Sequence, residues 1–154
     1  MTDSQRGVND VAVLGQLQEM AKRAYAMNWS PYTGAVATAA VRTTSGNYYG
    51  GSNVEVANIS LSKHAEESAV LIALAAEAQI AGSRLANHRF IDVVYVTAPP
   101  CGSCRQFLLE FATDDCLVHV DDGLGEPFSA RLVELLPRPF GPDQQAAAQA
   151  RTDT

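Results

Sequence analysis

The chain has 154 residues, 47% of them apolar, and a formal net charge of −6. That is the size of one ordinary domain with enough apolar side chains to build a packed core, and its acidity argues against a nucleic acid partner, whose phosphate backbone needs a basic face. Asp3, Arg6 and Asp10 interrupt any secretory leader, and the best apolar run, residues 68–76, ends at Glu77, short of the ~18 residues of a membrane span. The expectation is a soluble cytoplasmic protein without a membrane partner.

Residues 8–27 read as an amphipathic helix, with Val11, Leu14, Leu17 and Ala21 at helical spacing. Pro31 ends it, because the residue before a proline is pushed out of helical geometry. Residues 35–42 and 48–54 read as two strands, joined by a hairpin turn over 43–47. Residues 62–81 read as a long helix with Ser62 as N-cap and Gly82 as C-cap. The β-branched run 91–97 predicts a buried strand. Pro99 and Pro100 break it, residues 101–112 look helical, and 117–120 form a short strand. Residues 128–136 read as a last helix, or a helix with a strand-like end. The pattern predicts an α/β domain, a mixed sheet covered by helices, over residues 1–142. Residues 143–154 are rich in Gln, Ala and Thr; they predict a frayed or disordered tail, with an Ala-rich helical extension as the alternative.

Two short stretches carry chemistry: His64-Ala65-Glu66 and Pro100-Cys101-Gly102-Ser103-Cys104. Zinc takes imidazole nitrogen and thiolate ligands tetrahedrally, and a catalytic site keeps the fourth position for water. His64, Cys101 and Cys104 supply three such ligands. Two cysteines at i, i+3 in a first helical turn share one face, and the helix N-terminus favours their thiolate form. Glu66, two residues from His64, points to a different bearing around its helix and is free to move protons beside the metal. Separately, H-x-E marks an ordinary helix start, and C-x-x-C marks a redox pair or half of a structural zinc site. The second C-x-x-C of a Cys₄ site is missing, since only Cys116 remains. Cys116 reads as a small buried hydrophobe, and His88 and His119 as surface or loop-edge residues.

H-x-E followed by P-C-x-x-C is the zinc deaminase signature, and from residue 30 to residue 142 the chain resembles the cytidine deaminase family. Ser30-Pro31-Tyr32 resembles the family's loop leading into the site. Gly51-Ser52-Asn53-Val54-Glu55 resembles its ribose-binding segment, and Glu134-Leu135-Leu136-Pro137 with Phe140-Gly141-Pro142 its C-terminal signature. The resemblance implies a three-layer cytidine deaminase-like fold, Zn²⁺ as cofactor, and deamination of cytidine or deoxycytidine with release of ammonia. It implies that Glu66 takes a proton from the zinc-activated water and passes it to the ring and the departing amine. Asn53 and Glu55 are expected to hold sugar hydroxyls, the ribose 3′-hydroxyl above all, the backbone at Ala65 the cytosine carbonyl, and the Pro99 carbonyl the 4-amino group. Arg105 and Gln106 are expected to support the thiolates and the helix end. The resemblance also implies a homo-oligomer, with a tetramer ahead of a dimer on chain length.

The sequence departs from the family at two places. Where members carry a phenylalanine against the pyrimidine, alignment on Pro31-Tyr32 puts Ala35, and Val56-Ala57-Asn58-Ile59 replaces the usual residues after the sugar-binding glutamate. Loss of a stacking ring costs ~0.5–1.5 kcal/mol beyond area burial and widens the pocket. A deaminase of a modified cytosine or other nucleoside, such as a nucleoside antibiotic, is therefore the second reading. A polynucleotide editor fits poorly with the acidic chain, and a non-catalytic zinc module has no use for Glu66.

Overall fold

The computed structural model describes residues 11–152; the expected helix start at 8–10 and the last two residues of the expected tail lie outside them. The elements are α1 (Val11–Ala24), β1 (Thr38–Thr43), β2 (Tyr48–Ser52), α2 (Ala65–Ala81), β3 (Ile91–Val96), α3 (Gly102–Phe111), β4 (Ala112–Val120), β5 (Phe128–Arg131), α4 (Leu132–Leu135) and α5 (Pro142–Thr152). The strands form one sheet in the order β2-β1-β3-β4-β5. Only β3 and β4 are parallel, as the helical crossover α3 between them requires; the other pairs are antiparallel.

Period-2 alternation sends successive strand residues to opposite faces. Ala39, Val41, Val94, Val96, Val118 and Val120 pack with Ala65, Ala69, Val70 and Ala73 of α2 and Leu108 of α3. Ala40, Val93, Tyr95 and Leu117 face the other way, onto Val13, Leu17 and Ala21 of α1. The result is the expected three-layer α/β arrangement. Each large aliphatic side chain fully removed from water here stabilises the fold by roughly 1.5–3 kcal/mol.

Close approach of the helices depends on β2. A Cβ at Gly51 would overlap the Ala69 amide nitrogen and lie 2.8 Å from the Ala65 carbonyl oxygen; one at Gly50 would lie 2.5 Å from the Met20 carbonyl oxygen. Two glycines in a strand therefore let α2 and α1 settle onto opposite faces of it.

Several boundaries differ from expectation. The buried stripe of α1 is Val13, Leu17, Ala21 and Ala24, and Val11 is exposed. β1 begins at Thr38 because the Asn53 side chain takes the hydrogen bonds a strand partner would make: it accepts from the Ala37 amide at 2.9 Å and donates to the Ala35 carbonyl at 2.9 Å. His64, and not Ser62, stands at the start of α2, where its amide donates to the Glu67 carboxylate three residues on at 2.9 Å. Gly82 is the left-handed C-cap, with φ 63°. β4 starts at Ala112, and its ladder slips between Ile91↔Ala112 and Val93↔Leu117; exposed Asp114 and Asp115 in that bulge hide the strand from pattern reading. Residues 128–136 divide into β5 and the single turn α4. Beyond them α5 covers Pro142–Thr152, an alanine-rich helix of high intrinsic propensity.

Candidate metal centre and pocket

The two chemical motifs meet beyond the carboxyl end of β3. His64 precedes α2, Cys101 is the N-cap of α3, and Cys104 lies one turn into that helix. The Cys101 sulfur accepts from the Cys104 amide at 3.5 Å, so the helix N-terminus points donors and its positive end at the thiolate.

The metal-ligating atoms close into a triangle. His64 Nδ1 lies 3.2 Å from Cys104 Sγ and 3.5 Å from Cys101 Sγ, and the two sulfurs are 3.5 Å apart. A tetrahedral zinc with ordinary bond lengths spans edges of about 3.8 Å between two sulfurs and about 3.6 Å between sulfur and nitrogen. The observed separations fall a few tenths of an ångström short of these, so zinc fits with small side-chain adjustments. Among the described residues this is the one group of three or more His, Cys, Asp and Glu side chains with converging ligand atoms. Burial, then the charge of Glu66, then Cys101 push the Cys104 thiol far up; a bound divalent cation would offset this and favour the thiolate.

Glu66 is only 7% exposed and lines a cavity of about 460 Å³ together with His64, Ala65, Cys101, Asn53, Glu55 and Ala35. Ala98, Pro99, Val36, Ala37, Ile59, Ser62 and Lys63 complete the lining. The volume suits one small organic molecule. The site residues expected from the sequence line this cavity with one exception: Cys104 is buried behind it, in contact with His64 and Cys101. Ala65 and Glu66 open α2, where backbone amides lack an acceptor in a preceding turn.

The hydrogen bonds of Asn53 and Glu55 were not legible in the sequence. Glu55 Oε2 accepts from the Tyr32 and Thr33 amides at 2.9 and 3.1 Å, and Oε1 accepts a short hydrogen bond from the Thr33 hydroxyl. Asn53 Oδ1 accepts from Asn28 Nδ2 at 2.8 Å and from the Ala37 amide. Counting valences, Glu55 Oε1 keeps one lone pair and Asn53 Nδ2 keeps one proton. The Thr33 hydroxyl, first, and the two amides hold the Glu55 carboxyl below the usual carboxylate range, against the opposing effect of burial.

Arg105 and Gln106 act on backbone, not on the thiolates. Arg105 Nε donates to the Pro100 carbonyl at 2.8 Å and Nη1 to the Leu135 carbonyl at 2.9 Å, tying the segment before Cys101 to α4. Gln106 Nε2 donates to the Phe140 carbonyl at 2.6 Å. His119, expected at the surface, is buried: its ring stacks on Tyr95 with centroids 5.7 Å apart, and Nδ1 meets the Ser129 hydroxyl at 2.7 Å. His88 stays half-exposed beside Glu110, and Cys116 is a fully buried core residue.

Comparison with known proteins gives a consistent result. The family model described as the cytidine and deoxycytidylate deaminase zinc-binding region matches residues 9–120. A cytidine deaminase of Aliivibrio fischeri is 36% identical over 113 residues, which are 72% of this chain and 32% of that protein; the chain thus spans about a third of the length of the curated relatives it matches. The solved cytidine deaminase of Burkholderia pseudomallei superposes with a TM-score of 0.66 at 28% identity, covering 82% of this chain and 98% of the other. That of Mycobacterium tuberculosis gives 0.62 at 27% identity, covering 83% and 97%.

Proposed function

The chain belongs to the cytidine and deoxycytidylate deaminase zinc-binding family, and from that premise we propose that it converts free cytidine or deoxycytidine and water to the uracil nucleoside and ammonia. The observation that carries the reading is the near-tetrahedral spacing of His64, Cys101 and Cys104 beside a buried carboxylate in the same cavity.

His64, Cys101 and Cys104 would hold a zinc ion, which when bound would supply an acidified water. The remaining steps belong to the protein. The Glu66 carboxylate accepts a proton from that water and delivers it to ring N3, making C4 more electrophilic. After the oxygen adds to C4, Glu66 takes the remaining hydroxyl proton and hands it to the departing amine; the C4–N bond breaks, C4 becomes a carbonyl and ammonia leaves. The Ala65 amide region receives the ring carbonyl and the Pro99 carbonyl receives the 4-amino group. Asn53 donates to, and Glu55 accepts from, one sugar hydroxyl: the single donor and single acceptor left on the pair match one such group.

Ala35, Val36 and Ile59 give the cavity an aliphatic wall, and this supports the second reading, a cytosine nucleoside with a substituted base. The net charge of −6 supports free nucleosides over polynucleotides. Exposed Trp29, Tyr32, Ile59 and Leu61 around the cavity support a homo-oligomer, a tetramer or a dimer, that covers them. Three free cysteines suit the reducing cytoplasm, and no helix among the described residues is long and apolar enough to cross a membrane.

The test is zinc analysis together with ammonia release over cytidine, deoxycytidine, base-substituted cytosine nucleosides and single-stranded oligonucleotides. One zinc per chain and turnover of free cytidine are expected. Turnover of a substituted nucleoside alone would select the second reading, and turnover of oligonucleotides alone would overturn both.

A further inference from the structure

The loop of residues 28–37 contributes Ala35, Val36 and Ala37 to the cavity wall, yet its largest side chains, Trp29 and Tyr32, are exposed. Its anchors are polar. Asn28 reaches Asn53, the Ser30 hydroxyl donates to Asn28 Oδ1 at 2.6 Å, and the Tyr32 and Thr33 amides reach Glu55. Thr33 does two jobs at once: its hydroxyl donates to Glu55 Oε1, and its oxygen accepts from the Ala35 amide at 3.0 Å. Gly34, with φ +72°, makes the turn between them. The Ala35 carbonyl then accepts from Asn53 Nδ2. The two groups that still have a free valence, Glu55 Oε1 and Asn53 Nδ2, are therefore both oriented through Thr33, one directly and one through Ala35.

We infer that Thr33 is a positioning residue for the sugar end of the substrate: its hydroxyl turns the Glu55 carboxylate so that the open lone pair of Oε1 faces the substrate hydroxyl. This rests on the nucleoside reading above. A hydroxyl occupying one lone pair leaves the other in a defined direction, and a carboxylate so fixed binds without first losing rotational freedom. The same hydroxyl is the largest of the influences that hold Glu55 ionised.

The experiment compares Thr33→Val, which keeps shape and loses the hydroxyl, with Thr33→Ser, which restores it. For Thr33→Val, KM for cytidine should rise about five- to tenfold with kcat within about twofold, while KM for 3′-deoxycytidine stays unchanged. Thr33→Ser should return cytidine KM to the original value. An equal rise for both substrates, or none for either, overturns the inference by reducing Thr33 to a structural loop residue. A second measurement is independent of activity: the Glu55 side-chain carboxyl, followed by NMR, should titrate at higher pH in Thr33→Val and recover in Thr33→Ser, and an unmoved midpoint overturns the inference. A wild-type chain inert toward cytidine would refute the proposed function, and the carboxyl titration would then decide the role of Thr33 alone.

Discussion

Among single residues, Glu66 and Glu77 show how differently two buried carboxylates of one helix are used. Glu66 faces the cavity beside the metal ligands. Glu66→Gln keeps the shape and removes the proton carrier, so zinc content and thermal stability should persist. Turnover should fall by about 10⁴-fold or more, because one group serves several proton transfers; near-normal ammonia release, or loss of zinc, would remove Glu66 from its assigned role. Glu77, three turns on, accepts from Asn47 Nδ2 at 2.8 Å, the Tyr49 hydroxyl at 2.9 Å and the Thr43 hydroxyl at 3.1 Å. Burial alone would raise its carboxyl; these hydrogen bonds outweigh burial and hold it low. Tyr49 is pushed up to about 12, by burial first and by Glu77 second. The signs follow from linkage. The Glu77 contribution is complete above the unfolded carboxylate range and is lost as pH falls through its depressed folded value. The Tyr49 contribution is complete below about 10 and is lost as pH rises toward 12. Denaturant titrations across pH should therefore show Glu77→Gln less stable than wild type by about 1–3 kcal/mol near neutrality, with the gap closing in acid. A gap that is constant down to the acid limb would show that the carboxylate's charge does not contribute.

Among the elements, β2 and α2 set the position of the metal ligands. His64 is carried by the start of α2, and α2 sits where it does because Gly51 lets its backbone approach. Gly51→Ala places a Cβ against main-chain atoms of Ala65 and Ala69, which cannot swing aside as a side-chain end would. The helix must move. The expected result is a loss of about 1–3 kcal/mol in stability and weaker zinc binding in a competitive chelator titration, since His64 moves relative to α3. An unchanged zinc affinity would mean that α2 slides without disturbing its first turn. The pairing of two glycines in a strand gives no hint in the sequence of which helix each admits; that is set by the helices' positions on the two faces. The extended β4 is a similar case, since its polar first half gains strand geometry only from a neighbour already in place.

At the scale of the whole molecule, metal and assembly are the two terms outside the single chain's packing. His64 leads into α2 and Cys101 and Cys104 begin α3, so a bound ion would cross-link the starts of two helices that already share one core. Binding to the folded state alone stabilises by mass action. Removal of zinc by a chelator should lower the unfolding temperature, and stoichiometric zinc should restore it; indifference of the melting curve to chelation would show a site that contributes nothing to the fold. Sedimentation equilibrium should give a dimer or tetramer, with Trp29→Asp shifting the population toward monomer if the exposed apolar rim is the contact. A chain monomeric at all concentrations would discard the assembly reading.

What could be read from the linear chain was local chemistry. The candidate ligand set, the two glycine- and proline-marked helix boundaries and the α/β alternation depend on residue type and short spacing, which survive in the folded state unchanged. His64, Cys101 and Cys104 were identifiable because zinc admits few donor types, and the structure then brought residues 37 positions apart in sequence to within 3.5 Å. Tertiary structure alone decided which polar atoms still have valences to offer. Asn53 and Glu55 looked like open sugar contacts, but most of their hydrogen bonds go to a loop twenty or so residues earlier. His119 looked superficial until Tyr95 covered it. A hydrogen-bonding group shows its type in the sequence, whereas its remaining capacity is fixed only when every neighbour has been placed.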